Sequence, residues 1–106
     1  MEDLEEFDFS KVHLGLFSPG SLISSKFVPK ATEKGCLVID NTSHFRMQKN
    51  IPLIVPEVNA NALEEFFQDE ERTNIISNPN CSTIQMVVAL KPLHEKSIIN
   101  LSLIHI

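Results

Sequence analysis

The sequence predicts an α/β chain holding part of a Rossmann-like parallel sheet, built on a βαβ crossover and truncated at both ends. Three observations lead there. Several short apolar runs each stop at turn residues, as buried strands do. The first two runs flank a stretch of helical periodicity, and strand, helix and strand within about thirty residues make a parallel pair. The composition, 42% apolar and 22% charged over 106 residues, is that of a folded chain rather than a disordered one.

Residues 12–17 (VHLGLF) are a mostly apolar run closed by Ser18, Pro19 and Gly20, and read as a buried strand. Ser21 is placed to N-cap a helix over 21–34, with Leu22, Ile23, Phe27 and Ala31 on one side. Pro29 predicts a kink or an earlier end, and Gly35 a C-cap. Residues 36–40 (CLVID) form the second strand and run into the polar loop Asn41, Thr42, Ser43. A third strand, 52–56 (PLIVP), is fenced by prolines, and 60–67 predict a brief helix capped by Asn59. After the polar loop 69–72 comes a fourth short strand, 74–77. Residues 82–90 carry Ile84, Val87 and Val88 on one face and predict a helix ended by Pro92.

Composition also narrows the partners. The net charge is −5 with no cluster of Lys or Arg, which speaks against a nucleic-acid surface. The acidic opening (Glu2, Asp3, Glu5, Glu6) reads as a solvated face rather than a metal site. No apolar run approaches the ~18 residues of a membrane span, and no basic stretch leads into an apolar one at the start. Cys36 and Cys81 match no zinc or redox spacing, a pattern that suits a reducing cytoplasm.

Cys81 is the residue with most chemical promise. It sits where a strand hands over to a helix, in Asn78-Pro79-Asn80-Cys81-Ser82-Thr83. A helix N-terminus presents unpaired N–H groups and a positive dipole end, which favour a thiolate nucleophile and the oxyanion it creates. The competing reading is a buried cysteine acting as a small hydrophobe, and that is the reading for Cys36 among Leu37, Val38 and Ile39. Arg46 follows the second strand at the sheet edge where ligands bind in open α/β folds, either as an anion grip or as an exposed arginine. His44 has no recognisable partner and reads as solvent-facing. The turn Ser18-Pro19-Gly20-Ser21 is a second strand-to-helix junction able to accept a phosphate or ribose.

Taken together, the segments resemble the aspartate-semialdehyde dehydrogenase family. The matching blocks are residues 7–10 (FDFS), 15–20 (GLFSPG), 38–46 (VIDNTSHFR), 52–59 (PLIVPEVN), 78–86 (NPNCSTIQM) and 89–94 (ALKPLH). The resemblance implies NADPH-dependent reductive dephosphorylation of L-4-aspartyl phosphate to aspartate semialdehyde, a step of lysine, threonine and methionine biosynthesis. It implies that Cys81 is the nucleophile and that Arg46 and Asn80 bind substrate and phosphate. Ser18, Gly20 and Asn41 fall on the cofactor side for NADP, and the family's usual state is a homodimer. Pro19 and Leu22 depart from the small residues common in relatives at those positions. The related N-acetyl-glutamyl-phosphate reductases typically carry glycine just before the cysteine, where this chain has Asn80. A non-catalytic relative is the alternative outside the enzyme class, and retention of Cys81 argues against it.

The resemblance also implies a division: residues 1–79 as the C-terminal part of the NADP-binding domain and 80–100 as the catalytic-cysteine helix opening the substrate domain. Residues 101–106 (LSLIHI) resemble a translated transposase adapter, with a genuine strand as the alternative. The family's Gly-rich loop is expected before Met1, and its glutamine, second substrate arginine and acid–base histidine after Asn100. His94 and His105 match none of these. The chain alone is therefore expected to be inactive, and marginal or aggregating in solution for want of cover over its apolar faces.

Overall fold

The computed structural model describes residues 1–99. Its frame is a three-stranded parallel sheet in the order β1-β2-β3, with β1 at Leu14–Phe17, β2 at Leu37–Asp40 and β3 at Ile75–Ser77. Helix α1, Ser21–Glu33, crosses from β1 to β2. Helices α2, Pro56–Asn59, and α3, Asn61–Gln68, lie between β2 and β3 in the chain, and α4, Cys81–Lys96, follows β3. The expected fold class and the parallel βαβ unit are both present.

Strand β2 is central, and its side chains alternate between two cores. Cys36 and Val38 join Phe27, Val28 and Ala31 of α1, together with Phe9, Phe45, Ile51 and Ile75. Leu37 and Ile39 face the other way, toward Ile54, Phe66 and Ile76 with Ala62 and Leu63 of α3. Packing on both faces explains why a parallel strand reads as a continuous apolar run rather than an alternating one. Gly15 of β1 has a packing reason: a Cβ there would come within 3.0 Å of the Phe17 ring and 3.5 Å of Cys36 Sγ. On the opposite face of β1, Leu14 and Leu16 are exposed.

Several boundaries differ from the sequence expectation. Helix α1 runs through Pro29, which is exposed, so the carbonyl that loses its donor lies on the solvent side. Its N-cap is Gly20, not Ser21, and its end is a Schellman turn in which Gly35 N–H donates to Thr32 O and Cys36 N–H to Ala31 O. Residues 52–56 are not a strand but make one isolated bridge, Leu53 to Ser77. Pro52 and Pro56 have no N–H for a ladder, and the Asn59 side chain captures Val55 N–H and Leu53 O. Asn59 therefore closes α2 instead of capping the following helix. Helix α4 continues past exposed Pro92 to Lys96 for the same reason that α1 passes Pro29. No residue of α4 is buried; Lys91 Nζ ties it to Val58 O of α2.

Ser77 is fully buried and its hydroxyl has no hydrogen-bond partner among the described residues. Its backbone is fully used, with N–H donating to Pro52 O at 3.0 Å and C=O accepting from Ile54 N–H at 3.1 Å. Ser77→Ala removes only an unpaired polar group, so urea unfolding is expected to show unchanged or higher stability, by up to about 1 kcal/mol. A loss above that amount would reveal a buried partner such as an ordered water.

Candidate active site

The C-terminal ends of the three strands open into loops that are tied together from below. Asp40, wholly buried, accepts from Ser24 Oγ at 2.8 Å through one carboxyl oxygen and from Thr42 Oγ1 at 2.6 Å through the other. This joins α1, β2 and the loop after β2. Asn41 N–H donates to Phe17 O and Asn78 N–H to Asp40 O, extending the parallel pattern one residue past each strand. The floor of the site is thus rigid before any functional side chain is placed.

On one side of this edge lies the start of α1. Gly20 adopts φ +96°, and a Cβ there would meet nothing within 4 Å, so its backbone is open to close approach. Among the described residues no side chain caps the helix, which leaves its first N–H groups open to an anion. The hydroxyls of Ser21 and Ser43 pair at 2.9 Å across the two loops. Ser18 and Asn41, both exposed, flank this opening. Open glycine backbone, free helix N–H groups and paired hydroxyls suit the phosphate and ribose parts of a dinucleotide.

On the other side lies Cys81, the first residue of α4, with an exposed thiol. Asn80 is the N-cap, its Oδ1 accepting from Ser82 N–H at 2.9 Å while its C=O accepts from Ile84 N–H at 3.0 Å. The thiol therefore stands at the positive end of a sixteen-residue helix. Cys36 is the opposite case: burial pushes its thiol up from the usual range, and it is inert in the core. Arg46 reaches between the loops after β2 and β3, its Nε donating to Asn78 O at 2.8 Å and its Nη2 to Asn41 O at 3.1 Å.

The remaining candidates fall away from this group. His44 is exposed, its ring edge-on to Phe45 at 4.6 Å. His94 Nδ1 accepts from Ile99 N–H beyond the end of α4. Asn100, His105 and the proposed tail 101–106 lie outside the described residues. An open apolar groove of about 450 Å³ beside β1 is lined by Leu4, Phe7, Phe9, Leu16 and Phe17, and includes neither Cys81 nor Arg46. Among the described residues no group of three or more His, Cys, Asp or Glu is arranged to hold a metal, and no helix is long and apolar enough to cross a membrane. Sequence reasoning passed over Asp40, Ser24 and Ser43. The available signal was an acidic residue closing an apolar strand, which a buried carboxyl group must answer with donors.

The three-stranded parallel sheet with its βαβ crossover is a partial Rossmann-like α/β unit, with an open glycine turn at one helix start and a thiol at another. The chain belongs to the semialdehyde dehydrogenase family: the family model described as "Semialdehyde dehydrogenase, NAD binding domain" matches residues 1–66. It is 57% identical over 95 residues to aspartate-semialdehyde dehydrogenase 2 of Vibrio cholerae, an alignment covering 90% of this chain and 27% of the relative. The crystal structure of the Vibrio cholerae aspartate semialdehyde dehydrogenase II complexed with ASA superposes with a TM-score of 0.81 at 57% identity, over 89% of this chain and 29% of that one. The NADP-containing enzyme of Candida albicans is similar at 28% identity and a TM-score of 0.63, over 80% of this chain and 26% of that one. The chain thus spans about a quarter of the length of the relatives it matches.

Proposed function

We propose that the chain is a segment of a cytoplasmic, homodimeric aspartate-semialdehyde dehydrogenase that reductively dephosphorylates L-4-aspartyl phosphate. The observation that carries this reading is the exposed Cys81 thiol at the head of α4, within the stretch shared with the Vibrio cholerae enzyme. In this reading residues 1–79 belong to the NADP-binding domain and 80–100 begin the substrate domain.

Cys81 Sγ attacks the acyl carbon of the acyl phosphate, the carbonyl oxygen takes the negative charge, and the first N–H groups of α4 that Asn80 does not cap stabilise it. The C–O bond to phosphate then breaks, inorganic phosphate leaves with the electron pair, and a thioester remains on Cys81. Arg46 and Asn80 hold the substrate and its phosphate. Bound NADPH supplies the hydride that reduces the acyl carbon, and Ser18, Gly20 and Asn41 line its side of the site. Release of the aldehyde regenerates the Cys81 thiolate.

The test is an assay of the enzyme carrying this segment in the oxidative direction, following NADPH formation at 340 nm. Aspartate semialdehyde with phosphate is expected to support NADP reduction. Reduction that proceeds equally well without phosphate, or with N-acetyl-glutamate semialdehyde in place of the aspartyl substrate, would overturn the proposal.

A further inference from the structure

Arg46 does more in this fold than an anion grip requires. Its Nε and Nη2 hydrogens leave from one edge of the planar guanidinium, and both end on backbone carbonyls: Asn78 on the loop after β3 and Asn41 on the loop after β2. The Nη1 corner has no protein acceptor among the described residues, so one edge of the group is committed to the fold and another stays open.

The contact with Asn78 falls where the backbone has few other restraints. Pro79 is buried but contributes no N–H, and α4 beyond it buries no residue of its own, so the helix start is held through this turn rather than by the packing of its own side chains. Beside the buried Pro79 ring, the turn is anchored by Asn78 N–H to Asp40 O on one side and Arg46 Nε to Asn78 O on the other. We propose that Arg46 is a positioning residue, clamping the carbonyls of Asn41 and Asn78 so that the turn between them and Cys81 keeps its geometry. The clamp needs two donors held side by side on a rigid plane. A lysine ammonium offers charge but not that fork. The catalytic meaning of the inference rests on the reading of Cys81 as nucleophile, whereas the clamp itself does not.

The experiment compares the enzyme carrying this segment, as wild type, with its Arg46→Ala and Arg46→Lys variants by hydrogen exchange and by the pH profile of iodoacetamide labelling at Cys81. Loss of the clamp is expected to speed exchange about tenfold in peptides covering residues 78–85, with β2 and α1 unchanged. The labelling profile of Cys81 is expected to differ from wild type in both variants, because the turn that presents the thiol is no longer held. A lysine variant that matches wild type in both readouts would show that only the positive charge matters and would overturn the clamp. Wild-type behaviour in both variants would overturn it as well. Labelling of Cys36 reports global unfolding; if Arg46→Ala exposes it, Arg46→Lys, which keeps the stem and the charge, decides. Added inorganic phosphate tests the substrate role separately: a clamp result without any effect of phosphate on wild-type labelling would remove the anion-binding reading and leave the clamp standing.

Discussion

Cys81→Ser is expected to lower the rate of the proposed enzyme by roughly 10⁴–10⁶-fold, the range seen when a covalent nucleophile is removed. The size follows from what a helix N-terminus can and cannot do. It can stabilise the charge on sulfur and on an oxyanion, but a serine hydroxyl, far less acidic than a thiol, would need a base to take its proton. His44 and His94 are turned to other partners, and His13 precedes β1 at the other end of the strands, so no base among the described histidines stands ready for it. Incubation with aspartyl phosphate followed by intact mass analysis is expected to show one aspartyl adduct on the wild type and none on Cys81→Ser. Cys36→Ala should retain the adduct, since Cys36 is wholly buried in the core. An adduct that survives Cys81→Ser would place the nucleophile elsewhere and sink the mechanism.

The second large effect is on stability. Asp40→Ala is expected to cost about 2–4 kcal/mol in urea unfolding, because it strands two donors that now meet one carboxyl group. Ser24 and Thr42 are both buried, so neither hydroxyl can turn to water without opening the structure. A buried carboxyl group without a cation is itself expensive, and for that reason the cost belongs to the broken set rather than to Asp40 alone. Asp40→Asn, which keeps an acceptor oxygen, is expected to lose less. A triple replacement, Asp40→Leu with Ser24→Ala and Thr42→Val, should recover most of the deficit by removing every polar member together. An Asp40→Ala chain within about 0.5 kcal/mol of wild type would mean the knot contributes nothing.

Much of the architecture was legible from local signals. Strands β1, β2 and β3 each appear as an apolar run stopped by turn residues, and Gly35 ends α1 with a positive φ of 85° as its sequence position demands. Cys81 and Cys36 were separable because one follows a polar turn and the other sits among aliphatic residues. The errors have a common cause. Residues 52–56 look like a strand by composition, yet a strand needs donors, and the two prolines together with the Asn59 side chain remove them. Pro92 looks like a helix end and Pro29 like a kink or an end, yet both helices run on, because a proline on an exposed face lets water satisfy the orphaned carbonyl.

The sequence by itself determined the α/β class, the parallel crossover, the family resemblance and the cysteine that heads a helix, because each depends on neighbours along the chain. Only the tertiary structure decided that Arg46 spends one edge on the carbonyls of Asn41 and Asn78, that Ser21 meets Ser43, and that Asp40 gathers Ser24 and Thr42. Ser21 and Ser43, Ser24 and Asp40, and Arg46 and Asn78 lie sixteen to thirty-two residues apart, and a side chain carries no mark of its distant partner. Hydrogen-bond geometry is settled when the sheet aligns the strand ends, and not before.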